Sequence, residues 1–183
     1  KTVVLSNDKR LEIVNRLQKV CKEGNQVYWL CTMIEDNDSF DVQSAETSLE
    51  WIRENAPELR SELVHSKLSN EEKEKNIIDF RNGLIDILIC TTVIEVGMDV
   101  PNASLMIIEN AERLGLSQLH QLRGRVGRGP DMDSYCALLY QDPVSENAQK
   151  RLEAMKKYSN GFDISEIDLE LRGAGELLGL KQS

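Results

Sequence analysis

Long apolar runs are missing from this chain. The longest are five residues, Val27–Cys31 and Cys136–Tyr140, whereas a membrane-spanning helix needs about 20 and a signal-peptide core at least about 7. No membrane partner is expected, and a cytoplasmic location is. Histidine is scarce, with only His65 and His120. The four cysteines, Cys21, Cys31, Cys90 and Cys136, show no C-x-x-C spacing. They read as small buried hydrophobes in a reducing compartment, and no metal site is expected. Positive charge is also in short supply: 22 Lys and Arg stand against 31 Asp and Glu, a net charge of −9. That is the opposite of a general nucleic-acid coat, so any phosphate-binding role must be local. Finally, the sequence holds neither a Gly-Lys pair nor an Asp-Glu pair. It therefore lacks the G-x-x-x-x-G-K-[ST] phosphate loop and the acidic pair that would hold magnesium beside it.

What is present fits one globular domain of 183 residues, 40% hydrophobic and 29% charged, a composition that excludes whole-chain disorder. Short apolar runs alternate with helix-period stretches. The runs are Thr2–Leu5, Gln26–Cys31, Glu62–Val64, Asp86–Cys90, Ser104–Ile108 and Tyr135–Tyr140. Apolar residues at consecutive positions, as in Ile87-Leu88-Ile89-Cys90, mark strands covered on both faces. Between them, residues 8–23 place Leu11, Val14, Leu17 and Val20 on one helical face and stop at Gly24. Residues 42–55 repeat Val42, Ala45, Leu49 and Ile52. Ser69-Asn70-Glu71-Glu72 has the form of a capping box, opening a helix that closes at Gly83. Strands alternating with helices predict right-handed crossovers and a three-layer α/β domain with a mainly parallel sheet. After Tyr140 the pattern changes to a helix over 145–158, a turn at Asn160-Gly161, an apolar–acidic alternation over 163–171 and a Gly-rich tail. The boundary is placed at 143/144, with a helical hairpin and tail beyond it. Trp29 and Trp51 fall on apolar periodic positions and are expected in the core. The segment from Glu35 to Glu54 carries seven acids against Arg53 alone, which makes it a poor surface for DNA.

Two segments carry chemistry. Arg113 to Pro130 holds four arginines, at 113, 123, 125 and 128, and no acid. Its core reads Gln121-Leu122-Arg123-Gly124-Arg125-Val126-Gly127-Arg128-Gly129, after a helix expected to be capped at Ser117. Arginines packed this closely repel one another unless a polyanion is to be met, and the glycines between them let backbone approach it. The second segment, Cys90-Thr91-Thr92-Val93-Ile94-Glu95-Val96-Gly97-Met98-Asp99-Val100-Pro101, leaves the carboxyl end of a buried strand. Parallel sheets bind ligands there, and hydroxyls, a carboxylate and a glycine suit phosphate and ribose contacts.

Together these segments resemble motifs V and VI of superfamily 2 helicases. Gln121 to Arg128 matches the motif VI form Q-x-x-G-R-x-G-R at every fixed position. Thr91–Gly97, Ile107-Ile108-Glu109-Asn110 and Leu119–Gly129 are similar to the RecG branched-DNA helicases. Gly161-Phe162, Asp168-Leu169, Leu171-Arg172-Gly173, Gly175-Glu176 and Gln182-Ser183 resemble the translocation motif that RecG shares with the coupling factor Mfd. The resemblance implies the second RecA-like domain of a motor that holds ATP and magnesium between two such domains. It implies Arg125 and Arg128 as arginine fingers on the γ-phosphate, with Gln121 orienting water or sensing that phosphate. Gly97, Asp99, Gly124 and Gly127 would face the nucleotide. Thr91, Thr92, Arg123, His65 and Ser66 would face DNA, with positioning of motif VI as the other role open to Arg123. Arg172 and Gln182 would couple hydrolysis to translocation. The implied partners are branched, single- or double-stranded DNA, together with the first RecA-like domain and a wedge domain of one parent chain. Ser66 and Ala111 depart from the usual glycine and proline, and Ala174 gives wording closer to Mfd. Two alternatives therefore stay open: the corresponding piece of an Mfd-like translocase, and a non-catalytic α/β module that binds an anion or a protein.

Overall fold

The structure is a computed structural model that describes residues 1–32, 38–91, 100, 103–126 and 134–179, with only the backbone described at 38–41, 172 and 174–179. Six strands form one parallel sheet in the order β1-β6-β5-β2-β4-β3. They are β1 (Thr2–Ser6), β2 (Gln26–Cys31), β3 (Ser61–Val64), β4 (Ile87–Cys90), β5 (Ala103–Glu109) and β6 (Tyr135–Tyr140). Every residue of β2 and β4 is buried, as their unbroken apolar runs require of strands covered on both faces.

Six helices supply that cover: α1 (Arg10–Lys22), α2 (Asp38–Asn55), α3 (Asn70–Arg81), α4 (Leu116–Arg123), α5 (Glu146–Lys157) and α6 (Gly161–Gly179). On one face Val14 and Leu17 of α1 and Ala45 and Ile52 of α2 pack against Trp29, Ile87 and Ile107. On the other, Phe80 of α3, Leu119 and Leu122 of α4, Leu152 and Met155 of α5 and Ile164 of α6 pack against Tyr28, Leu88 and Leu138. All four cysteines are buried. Trp29 is fully buried and Trp51 partly so, and the Arg10 guanidinium stacks over both rings.

Ser69 caps α3 as its sequence requires. Its hydroxyl accepts from the Glu72 N–H (3.2 Å), and the Glu72 carboxylate accepts from the Ser69 N–H (3.0 Å). The Ser69 hydroxyl also donates to Glu72 Oε2 (2.8 Å), and that bond first and the Ser69 N–H second hold the Glu72 carboxyl below its ordinary pKa. We expect Ser69→Ala to cost about 1 kcal/mol, read as a fall of a few degrees in the melting temperature. No change in melting would remove the cap from the account of α3.

Three expectations are corrected. The helix over 42–55 begins earlier, at Asp38, because its first turn, Asp38-Ser39-Phe40-Asp41, holds a single apolar residue and so no period to read. The helix α4 is not capped at Ser117. Gly115 is its N-cap, and its N–H donates to Gln118 Oε1 (2.9 Å). The Ser117 hydroxyl lies inside the helix and donates to Asp168 Oδ2 (2.8 Å). The Gly-rich segment is helical as far as Gly179, since α6 runs unbroken from Gly161 to that residue. The apparent alternation over 163–171 is a helical stripe: Ile164, Ile167 and Asp168 turn inward while Leu169 and Glu170 are exposed.

Candidate functional site

The strand β5 ends at Glu109, whose carboxylate pairs with Arg10 Nη2 (2.7 Å) and accepts from Ser48 Oγ (3.0 Å). Asn110 follows in the left-handed region, φ 49°, one of few non-glycine residue types that tolerate it. This turn redirects the chain through a 3-10 turn, Ala111–Arg113, into α4. The helix crosses the sheet and ends beside Lys1, Thr2 and Cys136, at the start of β1 and β6.

The arginine-rich stretch thus leaves a helix that is firmly held. Leu116, Leu119 and Leu122 are buried beneath α4, and Val126 is buried just after it. Above the sheet, Gln121, Gly124 and Arg125 are exposed. Gln121 and Arg125 stand about one helical turn apart, two polar groups offered to whatever faces this surface. Neither side chain has a partner among the described residues. No acid lies between them, and the nearest carbonyls are used within the turn: Gly124 N–H donates to His120 O (3.2 Å) and Arg125 N–H to Leu122 O (2.9 Å).

Arg123 behaves differently from its neighbours. Its Nη1 donates to the carbonyls of Met155 (3.3 Å) and Tyr158 (2.8 Å), and its Nη2 to that of Ser159 (2.8 Å) and to His120 Nδ1 (2.8 Å). The guanidinium therefore caps the carboxyl end of α5, where unpaired carbonyls and the helix dipole favour a cation. Burial lowers its pKa from the ordinary value. This geometry takes up the donors a DNA phosphate would need, and it supports the positioning role over the DNA-contact role. A second arginine closes the same joint. Arg151 of α5 donates to Glu112 O (2.8 Å) and Leu114 O (3.2 Å) on the approach to α4. The sequence pattern gave no sign of Arg151, which reads as one more exposed charge on an amphipathic helix.

The other group of candidates sits at the carboxyl edge of the sheet, away from the end of α4 that carries Arg123. Thr91 is buried at the end of β4, and His65 is buried at the end of β3. Backbone N–H of Lys67 donates to His65 Nδ1 (3.1 Å), so Nε2 carries the ring proton and points toward Glu46, 4.0 Å away. Ser66 and Lys67 are exposed beside it, and Lys73 Nζ donates to Ser66 O (3.0 Å). Lys67 and Lys73 add two cations to this edge that spacing alone did not single out. Thr92, Gly97, Asp99, Gly127, Arg128 and Gln182 lie outside the described residues. Arg172 lies on α6, but its side chain is likewise outside them. Among the described residues no three His, Cys, Asp or Glu side chains gather to hold a metal.

The model for the helicase conserved C-terminal domain matches residues 9–130. Over all 183 residues the chain is 52% identical to the ATP-dependent DNA helicase RecG of Haemophilus influenzae and 50% to that of Escherichia coli K12, covering 26% of each relative. RecG of Thermotoga maritima is 44% identical over 182 residues, 99% of this chain and 23% of the relative. The chain thus spans about a quarter of the length of the curated relatives it matches. Among solved structures, RecG bound to a three-way DNA junction matches with a TM-score of 0.77 and 39% identity, over 96% of this chain and 22% of that one. The C-terminal domain of the DEAD-box protein Dbp5 matches with a TM-score of 0.60 over 93% of this chain and 97% of that one. Its 15% identity shows the fold alone.

Proposed function

The chain belongs to the helicase C-terminal domain family, on its RecG branch, and we propose that it is the second RecA-like half of an ATP-dependent motor that remodels branched DNA. Residues 1–143 form the motor domain in this reading, and 144–183 the hairpin and translocation motif. The observation that carries it is the joint at α4: the helix and the turn that ends it present Gln121 and Arg125 outward and, through Arg123, grip the hairpin behind them. A change sensed at the exposed face therefore has a rigid path to the hairpin.

The described residues fit half of an ATP site. They offer exposed cationic and amide groups toward an anion, yet no phosphate cradle and no carboxylate cluster for magnesium. ATP with magnesium would supply the cleavable anhydride, held against a first RecA-like domain of the parent. The residues of this chain would orient the γ-phosphate and neutralise charge that develops there. Forks and Holliday-type junctions are the substrate class, with DNA backbone tracking the carboxyl edge near Thr91 and His65. Such work belongs in the cytoplasm.

The experiment is direct. The purified chain should hydrolyse no ATP above background, because half of a composite site cannot assemble the reacting geometry. The full-length parent should show ATPase activity stimulated by forked DNA, and should unwind it. Magnesium-dependent ATPase from the chain alone, with contamination excluded, would overturn the assignment.

A further inference from the structure

His120 lies one turn before Arg123 on α4, bonded to the arginine that caps α5 and set against the start of α6. Arg123 Nη2 is 2.8 Å from His120 Nδ1. A guanidinium can only donate, so Nδ1 is the acceptor and the ring proton sits on Nε2. That nitrogen is pressed against Gly161, the first residue of α6. A Cβ built on Gly161 would meet it at 3.1 Å, so even an alanine there requires the ring to give by a few tenths of an ångström. The imidazole is thus wedged between the cap of α5 and the start of α6, and it serves both only in its neutral form. A proton on Nδ1 would turn the acceptor into a second donor facing a guanidinium.

The surroundings favour that neutral form. A cavity of about 600 Å³ opens beside the ring, and Lys1, Arg123, Lys156 and Lys157 all border it. Its other titratable groups are Tyr135, Tyr158 and Cys136, and burial pushes the Cys136 thiol up to about 12. No acid borders the cavity among the described residues. Asp163, at the start of α6, turns its carboxylate to Asn160 Nδ2 (2.7 Å). Burial first, and the Arg123 charge second, hold the His120 pKa below 6.5. The same cavity gives solvent a route to the ring.

We propose that His120 is a positioning residue, a proton-sensitive wedge that keeps the motif helix α4 joined to both helices of the hairpin. The proposal rests on the motor reading above. Because its pKa is lowered on folding, the bond it accepts is fully present at the ordinary histidine value and above, and is lost only as pH falls through the lower folded value. Acid should therefore loosen the joint and waste ATP.

The test uses the full-length parent, measuring ATP consumed per fork unwound from about pH 7.5 down to about pH 4.5, a range that reaches well below the ordinary histidine value because the folded one is lowered. In the wild type the cost per fork should rise several-fold as pH falls. His120→Gln offers Oε1 to Arg123 without titrating, so its cost should stay flat and near the wild-type value at the higher pH. His120→Leu removes the acceptor and should be wasteful at both. A His120→Gln protein that follows the wild-type pH dependence, or a His120→Leu protein that couples normally at the higher pH, would overturn the wedge. A wild type without fork-stimulated ATPase would instead overturn the motor reading itself.

Discussion

In the full-length parent, Arg125→Ala or Arg128→Ala is expected to cut DNA-stimulated ATP turnover by about 10³–10⁵-fold, the scale of a lost arginine finger. The argument begins with charge. Four arginines without an acid, in a chain of net −9, leave about −13 to the remainder, so this cationic strip persists against the grain of the molecule. It continues with placement: Arg125 is exposed at the end of a helix whose underside is fully packed. A side chain fixed at its base and open at its tip can meet a phosphate presented by a second domain, with little reorganisation left to do. DNA affinity should change far less, since phosphate contacts are shared among many residues. The measurement is turnover and DNA affinity on one preparation. If both variants kept turnover near wild type while DNA binding collapsed, the strip would be a DNA patch and the finger assignment would fall.

Much of this architecture could be read before any coordinates, for a physical reason. A central parallel strand is apolar at nearly every position, so the runs bound β2 and β6 to the residue. The Ser69 capping box is equally local, its partners three residues apart. The remainder depended on contacts distant in sequence. Ser117 has the composition of a cap, yet its hydroxyl is taken by Asp168, 51 positions away. Arg123 stands in a run of arginines that look alike, and only the carbonyls of 155, 158 and 159 separate it from Arg125. Arg10 and Glu109 pair from opposite halves of the chain, joining the start of α1 to the end of β5. Local pattern finds elements and motifs. It does not reveal which member of a motif faces outward, because that is decided by what packs behind it.

The helix α6 yields the second large effect. Its first half is fastened by Ile164 in the core and by Asp168 to Ser117. Beyond Asp168 the helix carries Gly173, Gly175 and Gly179, each about 1 kcal/mol less favourable than alanine in a helix interior. On the motor reading proposed above, a small push from the joint at α4 would then suffice to shift that half between helix and coil. Arg172 stands there between Glu170 and Glu176 in sequence, a cation able to change partners as the motor cleft opens and closes. We expect Arg172→Ala or Gln182→Ala in the parent to keep most of the ATPase activity and to abolish fork unwinding. Gly173→Ala tests the same mechanism from the opposite side. A methyl group there meets nothing within 4 Å, so the change adds helix stability without a clash. It should lower forks unwound per ATP by stiffening a segment that has to move. The quantity to follow is ATP consumed per junction unwound on the same preparation. A parallel fall of both activities in the Arg172 and Gln182 variants, or no change in either, would make Arg172 a static surface pair worth at most about 1 kcal/mol and leave distal α6 with only a packing role.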